Sequence, residues 1–307
     1  MSTFEVKILG SSSATPVYNR HHSSQLITIG GDIFLFDCGE ATQYQLYKFK
    51  FKYNKISYIF ISHLHGDHYL GLVGLLSSMH LNGRNKELKI FGPRGLDEII
   101  TIQLKYSETF LSFPISFTCI DTTSNNIILD LENLTVETIP LTHRIACSGF
   151  LIKEKPKKHR LNKLKLPENL SLLQMASLKR GEDVLDEDGN VLYYNQDLTF
   201  PPKKSRSYAY CSDTAYEESI LPIVQGTDLL YHEATFLSDM KVRAKETFHS
   251  TAEEAAIIAT KANVGRLIIG HFSARYKQIE PLLEEAKNIF PETYLAEEGS
   301  TFSINEE

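Results

Sequence analysis

The segment Ile61–His68 reads ISHLHGDH and places three histidines and one aspartate within six residues. That many imidazoles and carboxylates are costly to bury unless something compensates them, and these side chains suit a metal ion. Zinc takes histidine nitrogen and carboxylate oxygen, about four ligands per ion. His63 and His65 stand two apart in an extended turn, so both rings can point to one side. Asp67 and His68 follow at the mouth of an expected helix. One four-residue cluster cannot close two tetrahedra, so further ligands are expected from elsewhere. Three candidates each follow an expected strand: His143 after IPLT, Asp213 in YCSDT and His271 in IIGH. A lone histidine at a strand end is more often a hydrogen-bonded structural residue. Three such positions together with HxHxDH outweigh that reading and argue for a metal centre. Open α/β sheets gather their sites beyond the carboxyl ends of strands.

The elements that must position these residues follow from periodicity. Phe4–Leu9 alternates apolar and polar residues, as a half-buried strand does. Gln25–Ile29 and Ile33–Phe36 predict a hairpin turning at Gly30-Gly31-Asp32. Ser57–Ser62 predicts an inner strand, followed by a helix over Tyr69–Met79. Leu88–Phe91 predicts a strand and Gly95–Tyr106 a helix. Further strands are expected at Leu134–Ile139, Gly149–Ile152, Ser207–Cys211, Asp228–Tyr231 and Arg266–Ile269. Amphipathic helices are expected at Thr251–Ala262 and Ile279–Phe290. Strands alternate with helices at both ends of the chain, which implies a layered α/β fold with sheet inside and helices outside.

Composition sets the wider bounds. The chain has 307 residues, 42% hydrophobic and 23% charged, which excludes disordered, collagen-like and coiled-coil classes. One domain over 1–307 is expected, with an inserted piece. No apolar run approaches the roughly 18 residues of a membrane span, and MSTFEVKILGSSS lacks the features of a signal peptide. The four cysteines, Cys38, Cys119, Cys147 and Cys211, form no CxxC pair, so a reduced cytoplasmic protein is expected. The net charge of −6 argues mildly against a nucleic-acid partner for the chain as a whole. Residues 153–165, KEKPKKHRLNKLK, oppose that average with seven Lys or Arg against one Glu. A basic block on an acidic body suggests an anion-binding surface, although charge alone equally fits a solvated linker. The block opens the 51-residue stretch 153–203, which breaks the strand–helix rhythm and ends in Pro201-Pro202. A structureless loop of that length is unusual in a compact domain, so an inserted, protruding arm is expected.

The pattern of HxHxDH with a distant His, Asp and His resembles the metallo-β-lactamase superfamily. The resemblance implies a metallo-β-lactamase fold, an αββα sandwich, here with an inserted flexible arm. That fold hosts several hydrolytic reactions, so other motifs must select among them. LGSSSATP (9–16), LFDCGEATQYQL (35–46), PPKKSRSYAYCSDT (201–214), HEATF (232–236) and HSTAEEAA (249–256) together resemble the tRNase Z family, endonucleases that mature transfer-RNA 3′ ends. The resemblance covers nearly the whole chain, in the family's order and at about the short-form length. The basic excursion falls where that family carries its tRNA-binding arm. Three positions depart from the pattern. Ala41 stands where Gly is expected, Tyr44 stands where Arg is common, and LLQMASLKRG (172–181) replaces a Gly-Pro-rich stretch.

The resemblance implies two Zn2+ per subunit. His63, His65 and His143 would hold one, Asp67, His68 and His271 the other, and Asp213 would bridge them. Asp67 would also accept a proton from the attacking water, His249 would assist the leaving oxygen, and Glu233 would orient His249. Without the resemblance, Glu233 reads as a cap and His249 as a residue preceding a helix. Asp37 lies beyond a strand end, as does Glu40, and reads as a partner of a ligand imidazole or as a turn residue beside a left-handed Gly39. His21, His22, His80, His159 and His232 are expected not to be ligands. Lys153, Lys155, Lys157, Lys158, Arg160, Lys163 and Lys165 would touch phosphates of precursor tRNA, positioning it without reading its sequence. The implied product carries a free 3′-hydroxyl on the tRNA, and a cytoplasmic homodimer is implied.

Two other readings remain. A small-molecule phosphodiesterase, or another hydrolase of the same fold, would have no use for a basic arm. A nucleic-acid-binding protein with a decayed metal site should have lost one or more of the seven ligands, and this chain has all of them.

Overall fold

The computed structural model describes residues 3–306. In chain order the first half contributes β1 (Phe4–Gly10), β2 (Ser24–Ile29), β3 (Asp32–Phe36), β4 (Tyr58–Phe60), β5 (Leu88–Gly92) and β6 (Ile115–Cys119). Between them lie α1 (Thr42–Lys48), α2 (Gly66–Tyr69), α3 (Leu72–Leu81) and α4 (Leu96–Tyr106). The chain continues with β7 (Ile127–Asp130), β8 (Leu134–Leu141) and β9 (Cys147–Glu154). The excursion that follows folds as β10 (Arg160–Leu161), α5 (Leu172–Arg180), β11 (Val184–Leu185), β12 (Val191–Tyr193), α6 (Asn195–Leu198) and β13 (Thr199–Phe200). The chain then returns through β14 (Ser207–Cys211), α7 (Leu221–Val224), β15 (Leu229–Glu233), α8 (Lys241–Thr247) and α9 (Ala252–Lys261). It closes with β16 (Leu267–Gly270), α10 (Glu280–Lys287), β17 (Thr293–Leu295) and β18 (Thr301–Ser303).

Two seven-stranded sheets result, in the orders β18-β1-β2-β3-β4-β5-β6 and β17-β16-β15-β14-β9-β8-β7. Their inner strands are buried on both faces, and the period-two alternation assigns side chains to different cores. Phe34, Phe36, Phe60, Tyr208, Tyr210, Tyr231 and Ile268 face inward and fill the space between the sheets. Their neighbours Ile33, Leu35 and Ile59 pack outward with residues of α1, α3 and α4. On the other side, Ala209, Leu230, Leu267 and Ile269 pack against α9 and α10. These layers are the expected αββα sandwich.

One local feature differs from expectation. The helix expected over 69–79 is broken between α2 and α3, because the Gly71 amide donates to the Cys38 carbonyl at 2.9 Å. A Cβ at Gly71 would lie 2.1 Å from the Gly39 carbonyl oxygen, so glycine permits this close approach. The excursion, expected as an inserted arm, folds on contacts of its own. Leu170, Leu178, Val184 and Leu198 form a separate small core inside it. Helix α5 begins with a full capping box between Ser171 and Gln174 and ends at left-handed Gly181.

The topology fixes where the site must be. β3 and β4 run parallel, as do β14, β15 and β16. Their carboxyl ends therefore open on one rim, and β8 ends there too because β9 is antiparallel to both β8 and β14.

Candidate metal centre

All seven expected ligands meet on that rim. Nε2 of His63 lies 3.0 Å from Nδ1 of His65, which lies 3.1 Å from Nε2 of His143. Oδ2 of Asp213 stands 3.6 Å from His63 Nε2 and 3.8 Å from His143 Nε2. The other oxygen, Asp213 Oδ1, faces a second group at 3.2 Å from both His68 Nε2 and His271 Nε2. Asp67 Oδ2 completes that group at 3.5 Å from each of the same two nitrogens. Ligand atoms around a divalent ion stand about 3–4 Å apart, so these spacings suit donors that converge on bound metal.

The chemistry of the donors fits divalent ions. His68 Nε2 is buried, has no hydrogen-bond partner and points at two carboxylates, while Nδ1 of the same ring is held 2.7 Å from Asp37 Oδ2. Burial opposes charge on His68, but Asp213, Asp67 and Asp37 outweigh it and hold this imidazole well above the ordinary histidine range. Burial would likewise raise the Asp213 carboxyl, yet His271, His68 and His63 together hold it well below the usual range. His63, desolvated and beside His68, is held well below its ordinary value and so keeps a free lone pair for a ligand bond.

Five of the seven are steadied by a further partner, which for the histidines fixes tautomer and ring orientation. Asp37 is the hub under the His68 side: Oδ1 accepts from the Ser62 amide at 2.7 Å and Oδ2 from the Tyr210 hydroxyl at 2.7 Å. His63 Nδ1 meets Ser62 Oγ at 3.0 Å. His143 Nδ1 meets the Phe248 carbonyl at 3.0 Å. Thr235 Oγ1 meets His271 Nδ1 at 3.0 Å. Asp67 Oδ2 accepts the Ala14 amide at 2.8 Å, which gives the LGSSSATP loop a role no side chain announces. His65 differs, since its Nε2 faces exposed Arg144.

Four of these positions hold strained backbone. Ala14, Asp37, Phe248 and His271 have φ of 51, 54, 58 and 60°, left-handed values uncommon in non-glycine residues. Of the two readings of Asp37, the imidazole partner is the one observed. Gly39 is not the left-handed residue of this turn; its need for glycine is crowding, since a Cβ there would lie 2.4 Å from the Asp67 carbonyl oxygen. Ala41, which stands where Gly was expected, adopts φ 68° at the start of α1 and bears a cost of about 1–2 kcal/mol.

Glu233 and His249 are joined. His249 Nδ1 lies 2.8 Å from Glu233 Oε1, which also accepts the Thr214 amide at 2.9 Å. Glu233 Oε2 accepts from the Thr235 hydroxyl at 2.6 Å. Burial lowers the tendency of His249 to protonate, but Glu233 overrides it and raises the imidazole to about 9. Its ring centroid is 5.3 Å from both His143 and His271, so it borders both ligand groups. The histidines expected not to be ligands, His21, His22, His80, His159 and His232, lie outside both groups of converging donors. A cleft of about 690 Å³ opens over this rim, with Ser13, Ala14, Glu40, Arg144 and His249 in its walls.

The basic block is dispersed by the fold. Lys155 pairs with Asp130, and Lys157 with Glu154 and Glu306. Lys153, Lys158, Arg160, Lys163 and Lys165 are exposed, with the Arg160 guanidinium over the Phe200 ring. All four cysteines are free. Among the described residues, no helix is long and apolar enough to cross a membrane.

Two packed sheets with a His/Asp cluster at their strand ends define a protein of the metallo-β-lactamase fold with a centre for divalent metal. The metallo-β-lactamase fold protein YhfI of Bacillus subtilis superposes with TM-score 0.70 at 19% identity, covering 99% of this chain and 100% of that one. A family model described as anti-Pycsar protein Apyc1 matches residues 4–158. Ribonuclease Z of Cytophaga hutchinsonii is 57% identical over 303 residues, covering 99% of this chain and 97% of that protein. Ribonuclease Z of Parabacteroides distasonis is 44% identical, covering 99% and 100%. The structure of human tRNase Z, short form, superposes with TM-score 0.71 at 28% identity, covering 98% and 99%. The chain belongs to the ribonuclease Z family.

Proposed function

We propose that this chain, a phosphodiester-hydrolysing endoribonuclease that matures tRNA 3′ ends, works through two zinc ions held by the seven ligands. One observation carries the two-ion reading: the two oxygens of Asp213 face two separate donor groups. When bound, such ions lower the pKa of water toward about 7 and offset charge on the scissile phosphate. The chain's own residues do the rest. Asp67, fixed by the Ala14 amide, takes the proton of the attacking water. His249 gives a proton to the departing 3′-oxygen from the nitrogen opposite its Glu233 contact. Glu233 fixes the ring and favours its charged form. The products are a 3′-hydroxyl on the tRNA and a 5′-phosphate on the trailer.

The 153–203 arm would grip the tRNA body, with Lys153, Lys158, Arg160, Lys163 and Lys165 free to meet phosphates. Lys155 and Lys157 serve first to anchor the arm. Remote contacts of this kind raise kcat/KM through binding energy far from the reacting bond. We also read the protein as a cytoplasmic homodimer. Exposed Tyr44 and Tyr47, around a shallow groove with Leu70, support a self-association face; the mass in solution tests it. The alternative is a small-molecule phosphodiesterase or another hydrolase of the same fold, which would have no use for a basic arm.

The deciding experiment is cleavage of an end-labelled precursor tRNA by wild type and Asp67→Ala. A cut after the last nucleotide before the trailer, leaving a 3′-hydroxyl and lost in the variant, is expected. Turnover of a small phosphodiester by metal-loaded wild type, with the precursor left intact, would overturn the tRNA reading.

A further inference from the structure

His249 lines two cavities. One is the cleft that holds Asp67, His143, Asp213 and His271. The other, of about 310 Å³, contains none of the metal ligands and is walled by Ala215, Tyr216, Lys241, Lys245, His249 and Glu254. That volume is at the small end of ligand pockets, enough for about one nucleotide.

Its charges are unbalanced by one. Lys241 Nζ lies 3.4 Å from Glu254 Oε1, and Glu254 Oε2 accepts the Thr251 amide at 3.0 Å, so these two groups answer each other. His249 is answered by Glu233. Lys245 stands exposed on α8, four residues after Lys241 and so on the same helix face, with no carboxylate partner among the described residues. Tyr216 lines the cavity, partly buried against the core that includes α9, with its hydroxyl donating to Glu218. One aromatic wall and one unanswered cation are what a single nucleotide with a single phosphodiester requires.

The chemistry says which nucleotide. Water oxygen bonds to phosphorus and its proton passes to Asp67. The P–O3′ bond breaks, its electron pair stays on O3′, and O3′ takes the proton from His249. The phosphoryl group stays on the trailer. The group beside His249 is therefore the ribose of the last tRNA nucleotide, not the trailer. That ribose carries its own base and its own 5′-phosphodiester, one step upstream of the cut. We propose that the second cavity seats this terminal tRNA nucleotide, with its base against Tyr216 and its 5′-phosphodiester at Lys245, assisted by Lys241. The assignment rests on the leaving-group role of His249 given above, and it sets the polarity of the RNA across the site.

The test pairs Lys241→Ala/Lys245→Ala with precursor tRNAs bearing one neutral methylphosphonate. The substitution is placed either one phosphate upstream of the scissile bond or one phosphate downstream. With unmodified precursor, the double variant should lose about ten- to a hundredfold in kcat/KM, the scale of a charge-assisted contact. Its bound metal should equal that of wild type, which separates lost binding from misfolding. The upstream methylphosphonate should cost wild type a similar factor and cost the variant nothing further. The downstream one should penalise both enzymes alike. Coupling of the lysines to the downstream phosphate would reverse the polarity and overturn the proposal, as would wild-type kinetics in the double variant. Failure of metal-loaded wild type to cut any precursor tRNA would instead strike the parent reading, and this one with it.

Discussion

Leu178→Ala asks whether the excursion between β9 and β14 folds on its own core. Leu178 is fully buried, packed with Leu170, Val184 and Leu198 and flanked by Leu161, Leu166, Met175 and Tyr193. None of these residues belongs to the three cores of the sandwich. Truncating a buried leucine costs about 2–5 kcal/mol, from lost transfer energy plus the cavity left behind. A core this small seldom supplies more than about 3–5 kcal/mol. The substitution therefore removes most of what holds the arm folded, while the sandwich keeps its full core. The damage should spread along the module's polar contacts. Asn195 Nδ2 donates to the Leu178 carbonyl at 2.6 Å, and Thr199 Oγ1 donates to Asn195 Oδ1 at 2.8 Å.

Hydrogen exchange resolved by peptide reads this directly. Amides within 160–200 should lose protection by about 30-fold or more, the equivalent of the lower bound of that cost, while β8, β9 and β14 keep theirs. The KM for precursor tRNA should rise about tenfold or more, and turnover of a small phosphodiester should change less than about twofold. Loss of protection in the sandwich strands together with the arm would refute the separate core. An unfolded arm with unchanged KM would refute its role in holding substrate.

Asp37→Asn should weaken metal binding by about 10–100-fold, because Asp37 fixes the His68 tautomer while it also accepts from Ser62 and Tyr210. Competition with a chromophoric chelator measures this, and unchanged affinity would mean the tautomer is set elsewhere. Glu233→Gln removes the charge that raises His249 to about 9. Protonated His249 is the active form, so activity is full below its pKa and lost as pH rises through it. The basic limb of the pH–rate profile should therefore move to lower pH in the variant, with a larger loss at pH 8 than at pH 6; a parallel drop at all pH values would reduce Glu233 to a structural prop. Glu306→Ala should loosen the root of the arm, because Glu306 holds Lys157 through Oε1 and Lys203 through Oε2, both at 2.8 Å. These pairs bring the Glu306 carboxyl down to about 2, so their contribution is present at neutral pH and lost as pH falls from about 4.5 toward 2. Faster exchange of amides near 155–159 and 201–205 at neutral pH is expected, and no change would show that the pairs anchor nothing.

The candidate ligands could be picked out because a metal ion constrains residue type and spacing together. HxHxDH is local, and His143, Asp213 and His271 each follow an apolar run readable as a strand, so parallel strand ends on one rim suffice to gather them. The charge block was less legible. Lys155 and Lys157 look like free cations in KEKPKKHR, yet their partners include Asp130 and Glu306, 25 and 149 residues away, and only the register of β7 to β9 and the path of the C-terminal residues bring these together. The break between α2 and α3 was hidden for the same reason: Gly71 fits a helix until its amide is claimed by Cys38 from another segment.

What escapes a sequence reading entirely is the work done by backbone. Ala14 donates its amide to Asp67, and Phe248 offers its carbonyl to His143; almost any residue type supplies those atoms, proline alone lacking the amide. The cost shows instead in conformation, since Ala14 has φ 51° and Phe248 φ 58°. A non-glycine residue held in that region gives up about 1 kcal/mol or more, and it stays there only because the surrounding contacts determine it. Left-handed backbone at residues flanking the rim thus identifies supporting positions that composition and spacing leave blank. It follows that glycine at 14 or 248 should relieve local strain, yet weaken the hold on Asp67 or His143, because the same dihedrals then cost nothing to leave.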